Sequence, residues 1–197
     1  MHRIVVTQGL VLGKLGAGES NTLISVFTEE LGLIRVAARS ARLEVSKLRF
    51  GLEALTLARY SLVRGRHEWK LTGVEKISRE FCVSPPVRLR KLGKVSRLLQ
   101  RLIHGEEQVA MLLHIVTQGF KALTEAERSE DAEVLEYVLV LRILAHLGYL
   151  AYTPELAPFA QPPPEGGTCT AEVFEEVRLN RTKYIRIINE SLSATGL

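Results

Sequence analysis

Apolar and polar positions alternate along the first 80 residues, a pattern that predicts β-strands. Successive side chains of a strand point to opposite faces, so such alternation is typical of strands with two different faces. Glycines at residues 16–18, 30–32 and 64–66 indicate turns between the apolar runs. The fourth run, residues 52–63, changes phase, which predicts a bulge. The alternating positions elsewhere are Ile4, Val6, Leu10 and Leu12; Leu23, Ser25 and Phe27; Ile34, Val36 and Ala38; and Trp69, Leu71 and Ile77.

From Pro86 onward the spacing of apolar residues becomes helical. Gly148 is placed to cap the third helix, and five of the seven prolines fall within residues 153–167, which predicts a loop there. The predicted helices span residues 87–104, 107–123, 132–147 and 171–192.

The two patterns together predict an α+β protein with two domains. Five strands in so short a segment favour a closed five-stranded barrel at residues 1–80, because closure leaves no unpaired strand edge. An all-helical domain is expected at residues 81–197, with the proline-rich loop inside it.

Charge is strongly segregated along the chain. Residues 1–80 carry 13 Lys or Arg against 8 Glu, and residues 81–104 carry 6 cations and no acid. Residues 105–177 carry 3 cations against 13 acids. This asymmetry suggests one end that binds a polyanion and another that serves a different purpose.

The sequence offers little for bond chemistry. Asp131 is the only aspartate, whereas two-metal nucleases and polymerases gather several carboxylates. Cys82 and Cys169 form no Cys-x-x-Cys pair, the five histidines show no metal spacing, and no phosphate-binding loop is recognisable. We therefore expect no enzyme, metal or cofactor. We also expect no membrane span, and two reduced thiols in the cytoplasm.

What remains is a set of cations suited to phosphate contact. Arginine offers paired donors to phosphate oxygens, and the few aromatic residues (Phe27, Phe50, Tyr60 and Trp69) are expected mostly in the core. Binding should therefore depend on backbone charge rather than base sequence. The candidate DNA-binding residues are Lys14, Arg35, Arg39, Arg42, Lys47, Arg49, Arg64, Arg66, Arg90, Lys94, Arg97 and Arg101.

Six short motifs, in order along the chain, resemble the RecO family of bacterial recombination mediators. Asn21-Thr22 stands where that family has Asp-Arg, and the four-cysteine zinc insertion of many members is missing, with the proline loop in its place. The segment after Gly167 is shorter than usual and lacks the family's basic ending. The motifs are residues 7–12 (TQGLVL), 18–23 (GESNTL), 27–32 (FTEELG), 38–42 (ARSAR), 64–66 (RGR) and 141–149 (LRILAHLGY).

The resemblance implies an N-terminal OB-fold barrel, a helical C-terminal domain and a role in DNA repair. It implies binding of single- and double-stranded DNA, strand annealing, and loading of recombinase onto DNA coated by single-strand-binding protein. The partners implied are a RecR-type protein and the acidic tail of single-strand-binding protein. The implied location is the bacterial cytoplasm, associated with the nucleoid.

Two other functions remain open on the sequence alone. The same barrel serves RNA-binding proteins, and an adaptor could use the acidic helical domain for protein contacts while the barrel is only a scaffold. The cationic side of residues 87–104 is likewise open to three uses: DNA contact, binding of an acidic tail, or solvation. Its apolar stripe (Leu92, Val95, Leu99 and Leu102) is expected to dock on the helical core.

Overall fold

The computed structural model describes residues 3–17, 21–39, 49–106, 110–164 and 167–194. It divides into two compact units, residues 1–113 and 114–197. The first unit contains five strands and helix α1 (Pro86–Leu102), and the second is helical. Helix α1 therefore lies with the strands, whereas the helical spacing from Pro86 onward predicts that it belongs to the helical domain.

The five strands form a closed barrel in the order β1-β2-β3-β5-β4. All neighbouring pairs are antiparallel except β3 and β5, which pair in parallel through Val36–Trp69 and Ala37–Lys70. Short 3-10 helices at Arg49–Leu52 and Glu80–Val83 flank β4 and β5. An α+β fold with an OB-type barrel is therefore confirmed. The strands are β1 Ile4–Ala17, β2 Asn21–Thr28, β3 Gly32–Arg39, β4 Leu57–Arg64 and β5 Trp69–Ser78.

The β2–β3 turn shows how local sequence sets the barrel. The Leu31 backbone N–H donates to Thr28 Oγ1 at 3.1 Å, and the Thr28 hydroxyl donates to the Gly32 carbonyl at 2.9 Å. Gly32 has a φ of 64°, in the left-handed region that glycine adopts without strain. The turn predicted at residues 30–32 is confirmed.

In β1 and β2, the residues that line the barrel interior are not the alternating apolar residues identified from the sequence. They are the residues that lie between those positions. Val11, Ile24 and Val26 lie in the core, while Ile4 and Val6 are 58% and 49% exposed. In β3 the expected residues, among them Ile34 and Val36, do face inward. Both faces of β1 and β2 carry buried apolar residues over part of their length, so alternation could not identify the inner one.

The irregularity predicted in residues 52–63 has two sources. Strand β4 begins only at Leu57, after a turn in which Leu55 has a φ of 68°. The register between β4 and β5 also shifts between Leu57 and Arg59, as a bulge would cause.

Tyr60 anchors the barrel core beside this turn. Its side chain is fully buried, and its hydroxyl donates to the Gly51 carbonyl at 2.8 Å. Burial raises the pKa of the Tyr60 phenol, because the charged form would lose its hydration.

Helix α3 is the centre of the second unit, and α4, α5 and α6 pack around it. Gly119 of α2 lets that helix approach α3 closely, since a Cβ at Gly119 would lie 2.5 Å from a methyl group of Leu139 in α3. Gly148 ends α3 with a φ of 76°, as the sequence predicts. The helices are α2 Ala110–Glu125, α3 Ser129–His146, α4 Ala157–Ala160, α5 Ala171–Leu179 and α6 Arg181–Ala194.

Two sequence predictions for this unit were wrong in detail. The final helix is broken at Asn180 into α5 and α6, where one helix over residues 171–192 is predicted. The proline-rich segment includes the short helix α4, whose Phe159 is buried edge-on against Tyr184 with ring centroids 5.7 Å apart. Packing of that one aromatic side chain orders a stretch whose composition indicates a loop.

Candidate nucleic-acid interface

Helix α1 presents a row of cations to solvent. Pro86 suits the first turn, where no intrahelical N–H bond is needed, and the helix contains no acidic residue. The apolar stripe of Leu92, Val95, Leu99 and Leu102 is buried, which turns the opposite side outward. That side exposes four cations without an ion-pair partner among the described residues. They are Arg90, Lys94, Arg97 and Arg101.

Helix α1 packs against the barrel. Helix α1 contacts β1, and Gln100 Nε2 donates to the Leu12 carbonyl at 3.5 Å. Helix α1 lies in the same compact unit as the barrel, and docking of its apolar stripe on the helical core stays a prediction.

Three of the predicted DNA-binding cations are exposed on the barrel. Lys14 lies on β1, Arg35 on β3 and Arg66 in the β4–β5 turn. Within the described part of the chain, none of the three forms an ion pair. Phosphate groups could reach them without displacing an internal carboxylate.

Arg64, by contrast, is held by other side chains of the protein. Its Nη1 contacts both carboxylate oxygens of Glu106, and its guanidinium carbon lies 5.0 Å from the centre of the Trp69 ring. Trp69 Nε1 donates to the same carboxylate at 3.3 Å. A phosphate would have to compete with Glu106 for this arginine.

A second arginine contact, which no pattern in the sequence predicts, involves Arg79 after β5. Its Nη2 lies 2.5 Å from Glu53 Oε2, and its guanidinium carbon lies 5.2 Å from the centre of the Phe50 ring. Phe50 is 52% exposed, so the expectation that it belongs to the core is wrong. Phe50 is thus an exposed aromatic surface on the barrel. The one feature of the sequence that indicates an exposed position for Phe50 is that it directly follows a cationic segment, residues 39–49.

The predicted cations of α1 and those of the barrel belong to the same compact unit, and four further predicted residues are described in part or not at all. Arg42 and Lys47 lie outside the described residues, and Arg39 and Arg49 are described only by their backbone, at the end of β3 and the start of a 3-10 helix. Their role stays a prediction.

An open cleft of about 700 Å³ separates part of α1 from β1, and we call it the α1–β1 cleft. One wall is formed by β1 at Leu12, Gly13 and Lys14, and the other by α1, including Arg97 and Gln100. This cleft lies wholly within the first unit.

Two kinds of feature are absent from the described residues. No group of three or more His, Cys, Asp or Glu side chains is arranged there to hold a metal ion. No described helix has both the length and the apolar character that a membrane crossing requires.

The net charge of the two units differs in sign. Residues 1–113 carry 19 Lys or Arg against 10 acids, and residues 114–197 carry 7 against 12. The exposed cations of α1 and the barrel therefore belong to a unit with a net charge of +9, in a chain of +4 overall.

Comparison with known proteins gives a consistent result. Residues 1–79, which include all five strands, match the family model described as the N-terminal domain of recombination protein O. The chain is 25% identical over 202 residues to the DNA repair protein RecO of Dehalococcoides mccartyi, covering 94% of this chain and 78% of that protein.

Two further similar proteins are also DNA repair proteins named RecO. The DNA repair protein RecO of Exiguobacterium sibiricum is 27% identical over 72% of this chain, and that of Salmonella paratyphi B is 32% identical over 66%. The chain spans 56% and 53% of the length of these two relatives. The matching barrel domain and these relatives agree with each other, and they support a similarity of this chain to the RecO family.

Proposed function

We propose that this chain is a recombination mediator in DNA repair that works by binding DNA, with no bond chemistry of its own. In this proposal it binds single- and double-stranded DNA, promotes annealing of complementary strands and helps load recombinase. Its relatives' name, DNA repair protein RecO, supports the repair role.

The observation that carries the proposal is the set of unpaired cations on one unit. Lys14, Arg35, Arg66 and the four exposed cations of α1 have no carboxylate partner among the described residues. Cations of this kind neutralise phosphates and release the counterions condensed on DNA, which drives binding independently of sequence. The barrel class is also one that commonly binds oligonucleotides.

Annealing follows from the same electrostatics. Two complementary strands repel each other through their phosphates, and a protein with a net charge of +9 on one unit lowers that repulsion when both strands bind near it. Base pairing then supplies the free energy, so no catalytic group is required.

The proposed partners are a RecR-type protein and the acidic tail of single-strand-binding protein. Exposed cations support the second of these, since an acidic peptide is attracted by the same field as DNA. Both partners rest on the resemblance to the RecO family rather than on a contact in this chain.

The test is strand annealing with the full chain. Complementary oligonucleotides, bare or coated with single-strand-binding protein, should anneal faster when the chain is added, and excess salt should abolish the effect. A structured RNA of equal length serves as competitor. Unchanged annealing rates together with undetectable DNA binding at low salt would refute the proposal, and a strong preference for RNA would redirect it.

A further inference from the structure

We propose that the α1–β1 cleft binds a single DNA strand, holding its phosphates at the rim and an unpaired base inside. This inference rests on the proposed function, and it adds a site that distinguishes single strands from duplex.

Two glycines, which have no side chain to fill the space, keep the cleft open. Gly13 lies on the β1 wall and Gly93 on the α1 wall. An ideal Cβ at Gly93 would meet only Arg97 Nη1, at 3.7 Å, and one at Gly13 would meet the Gln100 amide at 3.6 Å. These are ordinary contact distances, so no side chain of the described residues fills this space by close packing. Its volume of about 700 Å³ lies within the range of ligand pockets.

The lining combines the two chemistries of a nucleotide. Lys14 and Arg97 stand on opposite walls without an ion-pair partner among the described residues, so both are available to phosphates. Leu12, Leu55 and Leu89 offer apolar surface to a base. Among the described residues of the lining, Glu53 is the one carboxylate, and it forms an ion pair with Arg79.

The neighbouring aromatic surface extends this site beyond one nucleotide. Arg79 lines the cleft and contacts the exposed ring of Phe50. A base outside the cleft could stack on Phe50, as bases do on aromatic side chains of single-strand-binding surfaces. The cleft and this ring therefore lie along one path for a strand.

The geometry favours a single strand over duplex. Bases of a duplex are paired and stacked, and entry of one of them would require it to be unpaired and extruded. A single strand has no such cost. Duplex would still bind the exposed cations of α1 through its phosphates, but it would leave the cleft empty.

The first experiment compares two arginines of the same helix. Arg97 lines the cleft, and Arg101, one turn later, is exposed outside its lining. With oligo-dT of about 15 nucleotides, a length near the footprint of one such barrel, R97A should lose about tenfold in affinity, as loss of a charge-assisted contact would cause. For duplex of equal length, R97A and R101A should lose affinity by the same small factor.

A second variant blocks the cleft without removing charge. Gly93→Leu replaces a poor helix former by a good one, so α1 should remain folded. It should weaken binding to oligo-dT and leave duplex binding unchanged. Thermal unfolding of the variant checks that the fold is intact.

A third measurement leaves the cleft unaltered. Cys82 lines the cleft and is partly exposed, so in a C169S background it is the one thiol that a maleimide can modify. Oligo-dT should slow this modification and duplex should not. Slowing by an acidic peptide but not by oligo-dT would assign the cleft to a peptide and overturn the inference.

The inference and the proposed function can fail separately. If R97A and R101A weaken both DNAs in the same ratio and oligo-dT does not protect Cys82, the cleft is not the strand site, although the chain still binds DNA. If the unaltered chain binds neither DNA, the proposed function itself is wrong.

Discussion

The α1 cations give the sharpest quantitative prediction about DNA binding. The variant replaces all four exposed cations of the helix by alanine. Each is solvent-exposed without an ion pair among the described residues, and alanine is the best helix former, so stability should change by only about 0.5 kcal/mol. The changed residues are Arg90, Lys94, Arg97 and Arg101.

The magnitude follows from counterion release. If all four cations contact phosphates of a single strand, the slope of log K against log salt becomes about 3 units less steep in the variant. Raising the salt from 50 to 200 mM would then weaken the unaltered chain about 50-fold more than the variant. If only two cations make contact, the difference falls to about sevenfold.

The assay is fluorescence anisotropy with labelled oligo-dT at four or more salt concentrations. A matched control replaces four exposed cations of the second unit, which changes the net charge by the same amount. Equal slopes for the two variants would refute the assignment, because binding would then depend on total charge rather than on α1. The control residues are Lys121, Arg128, Arg178 and Arg186.

Three further predictions concern the barrel. Reversal of three loop arginines to Glu should weaken DNA binding at least tenfold with an unchanged melting temperature; normal binding by this variant would exclude that loop. Glu106→Gln should release Arg64 and raise DNA affinity a few-fold, measured by the same anisotropy titration, and an unchanged affinity would show that Arg64 plays no part. Tyr60→Phe should cost about 1–2 kcal/mol in urea unfolding, because the Gly51 carbonyl loses its buried donor. Because the pKa of Tyr60 is raised in the folded protein, the phenol ionises at a lower pH in the unfolded chain, and the free energy of unfolding should fall as the pH rises above about 10. This fall should be smaller in the Tyr60→Phe variant. The loop arginines are Arg39, Arg42 and Arg49.

The sequence was sufficient for the elements with strong local signals. Gly148 fixed the end of α3 because only a residue at ease with a positive φ suits that position. The exposed cations of α1 followed from helical spacing, since burial of Leu92 and Leu99 turns Arg90 and Lys94 to the opposite side.

Local sequence was insufficient where one distant contact decided the outcome. Arg64 and Lys14 both looked like phosphate-binding cations, yet Arg64 is paired with Glu106, a residue 42 positions away. Phe50 looked like a core residue, but it lies outside the barrel under Arg79. Neither contact leaves a periodic signal in the sequence.

The sequence by itself determined that the chain is a barrel-plus-helix protein with its positive charge concentrated in the first half, because periodicity and charge are properties of local composition. Only the tertiary structure decided which strand face points inward. Val11 and Ile24 fill the barrel, whereas Leu10 and Phe27 are equally buried on the other face. A period of two shows that a strand has two faces, but when both are buried, only packing against the neighbouring elements shows which one is the core. The α1–β1 cleft likewise exists only because the helix returns to the barrel, which brings Arg97 to the same space as Lys14.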